Sequence, residues 1–140
     1  MKTNMDLGLL IMRLALGVIF IMHGLQKIGV IGGGSMEGTV QMFQENWNIP
    51  AFATYLVTAA ELLGGIGVLV GFLGRIASAA IALVMIGAFF MVHIKNGFFV
   101  SDGGVEMVLG FGAMALGLMF MGMGRYSIDG MMAEKKSATG

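Results

Sequence analysis

Six ionisable residues stand in stretches of this chain that are otherwise strongly apolar: Arg13, His23, Lys27, Glu61, His93 and Glu106. An ionised side chain near the centre of a bilayer costs about 2.5–3.5 kcal/mol on insertion scales, so each needs a partner or a purpose. Imidazoles and carboxylates can hold and pass protons, and a nearby arginine or lysine tunes the charge of a carboxylate. On that chemistry His23, Glu61, His93 and Glu106 are the candidate catalytic residues. Arg13, His23, Lys27 and His93 are the candidates for binding a cofactor.

Spacing groups these residues. Helical positions four apart differ by about 40° and seven apart by about 20°, so Arg13, Phe20, His23 and Lys27 share one broad face. Rise per residue puts Arg13 about 9 Å inside one end of its helix and His23 about 15 Å further on, with Glu61 about 15 Å in from the opposite side. A snorkelling Arg13 is therefore expected to reach Glu61 and form an ion pair between the first two spans. His93 closes one span and Glu106 opens the next. The loop Lys95 to Gly104 is expected to bring them within hydrogen-bond reach, unless Glu106 serves only the positive end of its helix dipole. His23, Lys27, His93 and Glu106 gather at one end of the molecule.

The elements that carry these groups follow from composition. Of 140 residues, 57% are hydrophobic and only 11% charged, with a mean hydropathy of +0.89. Eight basic and eight acidic residues balance, which excludes the basic surface that nucleic acid requires. No cysteine is present, so disulfides, iron-sulfur ligation and thiol redox chemistry by this chain are excluded.

A helix needs about 20 apolar residues to cross a bilayer, and four segments reach that length: residues 7–28, 51–73, 76–94 and 105–123. The reading is an all-α fold: an integral membrane four-helix bundle in a single domain, with a loop over 29–50 and a tail over 124–140. The first apolar run exceeds a signal-peptide core and is followed by Gly32-Gly33-Gly34-Ser35 without an A-x-A pattern, so it is read as a retained helix. Pro50 suits the first turn of the second span, with Asn48 as its cap. Gly74-Arg75 marks a tight hairpin. In the first loop, Val40, Phe43 and Trp47 recur at helical spacing between Thr39 and Trp47, as in a short helix lying in the membrane interface with Trp47 as its anchor.

Lys2, Arg75, Arg125, Lys135 and Lys136 fall on one side and only Lys27 and Lys95 on the other, which predicts cytoplasmic N- and C-termini in a multi-pass protein of the cell (inner) membrane. Glycines and alanines such as Gly64, Gly65, Gly67, Gly71, Ala77, Ala80, Gly110, Gly112 and Gly117 are expected to bring the spans close together. The 15 methionines are scattered, with no histidine beside Met119, Met121 and Met123, and are read as packing residues rather than copper ligands, so no metal site is expected.

Taken together, Met12-Arg13-Leu14-Ala15-Leu16-Gly17, His23-Gly24-Leu25-Gln26-Lys27, Glu61-Leu62-Leu63-Gly64-Gly65, His93-Ile94-Lys95-Asn96-Gly97-Phe98-Phe99 and Gly124-Arg125-Tyr126-Ser127-Ile128-Asp129 resemble the DoxX family of small four-helix membrane proteins. The resemblance extends over nearly the whole chain, and it puts the family's polar positions on Arg13, His23, Lys27, Glu61, His93 and Glu106. It implies a redox accessory subunit linked to quinone, in the company of quinol-oxidase, thiosulfate:quinone, sulfurtransferase or superoxide-handling partners.

The expected function is then a quinone-linked membrane subunit, with electrons supplied by partner redox subunits or through a homo-oligomer. In this reading a histidine holds the headgroup while Glu61 or Glu106 relays protons. Two alternatives stand beside it. One places haem b between His23 and His93. The other is a noncatalytic scaffold in which Arg13–Glu61 and His93–Glu106 are internal locks and the helix around Trp47 docks a larger complex. A transporter would show an inverted repeat, and none is visible.

Overall fold

A computed structural model describes residues 4–139. Met1, Lys2, Thr3 and Gly140 lie outside them, including the Lys2 counted toward the orientation. Among the described residues every regular element is helical. Asn4 starts α1 (Met5–Lys27), its side-chain oxygen accepting from Leu7 N at 3.3 Å. This cap draws Met5 and Asp6 into a helix expected to begin only at Leu7.

Ser35 caps α2 (Met36–Trp47) by accepting from Gly38 N at 3.0 Å, so the short helix begins three residues before Thr39. It ends at Asn48 in the left-handed conformation, φ 54°. Asn48 thus closes α2 rather than capping the next helix, whose N-cap position is taken by Pro50.

Next comes α3 (Ala51–Val70). Gly71 stops it at φ +69°, short of the expected Leu73, and Leu73 itself is left-handed at φ 48°. The hairpin therefore lies over 71–73, and α4 (Gly74–Ala88) follows directly. A π-helical turn (Phe89–His93) and a 3₁₀ turn (Ile94–Asn96) continue α4. A short 3₁₀ turn, Val100–Asp102, leads into α5 (Glu106–Met121). The expected tail contains one more helix, α6 (Ile128–Thr139).

α1 packs along α3, α3 along α4 and α4 along α5, while α5 returns to touch α1 and α2 lies against α3. The α1–α3 contact is the closest. A Cβ on Gly17 would stand 2.7 Å from the Cβ of Leu69, one on Gly24 2.8 Å from that of Leu62, and one on Gly65 2.8 Å from Ile21 N. Gly67 is used within the chain, a Cβ there meeting that of Ala77 at 2.8 Å. By contrast Gly110 faces open space, so not every glycine of the expected fourth span is a packing residue.

Leu9, Leu16, Phe20, Val68, Ile81, Met85, Ala115 and Leu118 form the core between these helices. The outward faces are apolar too. Leu7, Ile11, Leu14, Val18 and Met22 run exposed along α1, and Leu63, Ile66, Leu83, Ile86, Leu116 and Phe120 continue the surface on α3, α4 and α5. Three helical segments, Met5–Lys27, Ala51–Val70 and Gly74–Asn96, are long and apolar enough to cross a membrane, and Glu106–Met121 is a shorter apolar helix.

Because α1, α3, α4 and α5 alternate in direction, the molecule has a proximal end, where α1 begins, and a distal end, where it finishes.

Candidate functional site

Two sets of charges share one face of α1 and serve opposite ends. Arg13 and Lys27 are 14 residues apart, about 21 Å along the axis.

At the proximal end Arg13 is 2% exposed and uses all three guanidinium nitrogens on backbone carbonyls. Nε donates to Val68 O at 3.0 Å, Nη2 to Leu69 O at 2.8 Å, and Nη1 to Met123 O at 3.1 Å and Tyr126 O at 2.7 Å. Val68 and Leu69 belong to the last turn of α3, whose carbonyls have no partner within the helix. A cation there is also favoured by the dipole. The expected Arg13–Glu61 ion pair does not form, because Glu61 sits seven residues, two turns or about 10 Å, further along α3. The guanidinium bonds at its own level instead. Arg13 is thereby also removed from the cofactor-binding set, since it lies away from the distal cavity.

Asp129 completes this end. Its two oxygens accept from Leu73 N at 3.0 Å and Gly74 N at 2.8 Å, capping α4, while its own N–H donates to Gly71 O at 2.8 Å. Asp6 accepts from Arg125 N at 2.9 Å. The segment Gly124 to Asp129 is thus the closure of the bundle's proximal end.

The distal end is open. A cavity of about 580 Å³ lies between α1, α2, α3, α4 and α5, within the range of about 300–1,000 Å³ common for small-molecule sites. Phe20, Phe43, Trp47, Met85 and Phe111 give it apolar walls, and His23, Lys27, Glu61 and His93 bring polar groups to it. A second recess of about 250 Å³ shares His23, Gln26 and Gly32 with the first.

Lys27 Nζ lies 2.6 Å from Glu61 Oε2. Beyond this ion pair the buried oxygen has no hydrogen-bond partner among the described residues. Glu61 is 4% exposed and follows Thr54 and Thr58 down the buried stripe of α3. Both threonines turn back onto their own helix, to Pro50 O at 3.4 Å and Thr54 O at 2.9 Å, and are spent there.

His93 does not reach Glu106. Its Nδ1 is 2.6 Å from Gly103 O, and Glu106 accepts from Val100 N at 2.9 Å. The intervening loop folds back between them, with Val105 N and Glu106 N bonded to Gly97 O and Phe98 O. Glu106 therefore braces that loop and is absent from the cavity wall. His23 is exposed, its ring tilted against Phe20 at a centroid distance of 6.4 Å.

Sequence reasoning missed the contribution of α2. Thr39 Oγ donates to Lys27 O at 2.9 Å, and Phe43 and Trp47, edge-to-face at 5.2 Å, turn inward to roof the cavity. The signal is the Thr39, Phe43, Trp47 spacing of four, which aligns these side chains on one face of α2.

Residues 8–94 match the DoxX family. The chain belongs to that family. Among curated relatives of this DoxX chain, CatD of Bacillus subtilis (strain 168), provisionally named an oxidoreductase, is 38% identical over 98 residues, 70% of this chain and 69% of CatD. An uncharacterized membrane protein of Mycobacterium tuberculosis (strain ATCC 25618 / H37Rv) is 30% identical over 91% of this chain and 83% of its own length. The inner membrane protein YqjF of Escherichia coli (strain K12) is 30% identical over 96% of this chain and 99% of its own. No solved structure matches the DoxX chain at a significant level. The family match contains Arg13, His23, Lys27, Glu61 and His93 but stops short of Glu106 and of the Gly124–Asp129 closure.

Proposed function

We propose that this DoxX protein is a membrane-embedded redox accessory subunit whose distal cavity binds a quinone headgroup. α1, α3, α4 and α5 are read as four spans of an inner-membrane bundle with cytoplasmic termini. The apolar outer stripes of these helices support the bilayer reading, as do relatives named as membrane proteins. The excess of Arg75, Arg125, Lys135 and Lys136 at the proximal side supports the orientation.

One observation carries the functional reading: a Lys27–Glu61 ion pair, its carboxylate buried and its Oε2 without any further hydrogen-bond partner among the described residues, borders an aromatic-walled cavity of about 580 Å³. A buried charge pair left short of hydrogen bonds is a poor stabilising device and a good binding one. The groups present fit a planar ring bearing two oxygens: Phe20, Phe43, Trp47 and Phe111 suit its faces, while Lys27, His23 and His93 can reach its polar edge.

A bound quinone supplies two-electron, two-proton chemistry. Lys27 Nζ donates to a headgroup oxygen and holds negative charge that develops there. Glu61, relieved of part of its hold on Lys27, accepts or returns a proton at its carboxylate, and His23, at the exposed rim beside the second recess, connects it with the surface. The α2 roof excludes water. Electrons come from a partner redox subunit, and the oxidoreductase name of CatD supports a redox setting.

A noncatalytic scaffold is the second reading. The two locks it relied on are absent, but the Arg13 and Asp129 closure gives it another, and it leaves the distal cavity without a use.

Mass spectrometry of small molecules extracted from gently purified protein, with its visible spectrum, decides between them. The expected result is a stoichiometric quinone, in its oxidised or reduced form, that is lost from a His23→Gln/His93→Gln double variant of unchanged helical content. A folded preparation without quinone would leave the scaffold, and a Soret band would point to haem b instead.

A further inference from the structure

The π-helical turn at the end of α4 fixes the hydrogen-bonding state of one cavity histidine. Within it Ile94 N–H bonds to Phe89 O, five residues back, and the widened turn carries His93 to the cavity wall. Such turns are frequent at functional sites. Gly103, left-handed at φ +77°, presents its carbonyl to His93 Nδ1 at 2.6 Å, and Asn96 Nδ2 donates to the same oxygen at 3.2 Å.

A carbonyl oxygen only accepts, so Nδ1 carries a proton. In the neutral ring Nε2 is then left with a bare lone pair. Since Nδ1 is engaged, Nε2 is the nitrogen that His93 can offer a ligand. His23 makes no hydrogen bond among the described residues and can present either tautomer. The Glu61 carboxylate is likewise an acceptor, with Lys27 its charged neighbour. The cavity therefore presents two fixed acceptors, one from α3 and one from the π turn.

Resting on the quinone reading above, we infer that the cavity takes the reduced, hydroxylated headgroup, a hydroquinone, through donation of its O–H to His93 Nε2, and disfavours the fully oxidised quinone. Lys27 Nζ can serve one ligand oxygen in either redox state, but a ligand carbonyl opposite Nε2 would set lone pair against lone pair there and leave that nitrogen without a donor. Sites built to bond a hydroxyl reject analogues that lack it.

Trp47, the only tryptophan, lines the cavity and reports binding by its fluorescence. Wild-type protein in phosphatidylcholine nanodiscs is titrated anaerobically with a short-chain hydroquinone, the matching quinone and the di-O-methyl ether of the hydroquinone. The hydroquinone is expected to bind at least about tenfold more tightly than either of the others, the effect of one well-made hydrogen bond. His93→Phe brings that ratio close to one. His93→Gln, which keeps an acceptor, retains part of it.

Nitrogen-15 NMR of histidine-labelled protein on a His23→Gln background reads the tautomer directly, whatever the affinities. An Nδ1-protonated ring whose Nε2 resonance moves when hydroquinone is added is the expected result. Equal or tighter binding of quinone, survival of the preference in His93→Phe, or an Nε2-protonated neutral ring would overturn this inference alone. Failure of all three ligands to bind would overturn it together with the quinone reading.

Discussion

The two ends of this molecule treat buried charge in opposite ways. At the proximal end Arg13 donates four hydrogen bonds to four backbone carbonyls, and Asp129 uses both oxygens on the first amides of α4. At the distal end Lys27 and Glu61 have each other and a cavity, with no further hydrogen-bond partner for Glu61 Oε2 among the described residues. A charge saturated by helix termini holds a fold together. One left short of partners beside an empty volume is available to a ligand.

The contrast is broken most severely at Arg13. Arg13→Met leaves the carbonyls of Val68, Leu69, Met123 and Tyr126 without donors in a buried setting. At about 1 kcal/mol or more for each orphaned acceptor, the loss is several kcal/mol. The expected outcome is aggregation or loss of monodisperse protein on size exclusion in mild detergent. Arg13→Lys rescues little, because a single ammonium cannot span a fork of four acceptors. The distal counterpart, a Lys27→Met/Glu61→Gln double variant, should stay folded and lose headgroup binding. If Arg13→Met folds normally, the saturated end is not what holds α1, α3 and the closure together.

Next in size is the α1–α3 contact that joins the two ends. Gly17→Ala would put its new methyl 2.7 Å from the Leu69 Cβ and 2.9 Å from Gly65 O. Part of this is backbone, which cannot turn aside, so an overpacking loss of about 1–3 kcal/mol is expected. Thermal unfolding in detergent measures it. Gly110→Ala is the control, since nothing stands within 4 Å of a Cβ there.

Which of these features could be read from the sequence depends on whether a residue's meaning is local. Arg13, Lys27 and Glu61 are conspicuous because ionisable groups in apolar runs are costly wherever they point. Their partners are not local. The register between α1 and α3 is set by close approach at Gly17, Gly24 and Gly65, and it moves Glu61 two turns away from Arg13 and level with Lys27. His93 and Glu106 were expected to meet because their helices are sequence neighbours, but the loop between them supplied a backbone partner to each. The closure was illegible for another reason. Asp129 lies in a polar segment with no periodicity to mark it, and its role depends on a hairpin 55 residues earlier.

Smaller is the effect of Asp129→Ala, which removes the cap on α4 and one anchor of the closure. A loss of about 1 kcal/mol is expected, the usual value of an N-cap, with Asp129→Asn recovering part of it through its amide oxygen. Headgroup affinity should not change, because the capped amides of Leu73 and Gly74 lie at the end remote from the cavity. A fall in affinity with intact stability would show that the two ends are coupled.

The smallest expected effect falls on Glu106, a distal carboxylate that turns away from the cavity. Its Oε1 accepts from Val100 N at 2.9 Å, and the residue is only half buried. In Glu106→Gln the amide oxygen can accept the same N–H. The change then removes little beyond a charge at the start of α5, worth about 0.3–1 kcal/mol through the dipole. Headgroup affinity should stay within about twofold of wild type, whereas Glu61→Gln, which keeps the shape of a cavity-lining carboxylate and removes its charge, should weaken it about tenfold, one hydrogen bond's worth. If the two variants weaken binding alike, the loop between Lys95 and Val105 opens when the ligand enters and Glu106 belongs to the site. If only Glu61→Gln does, the distal carboxylates divide into one that binds and one that braces, as the two ends of the molecule do.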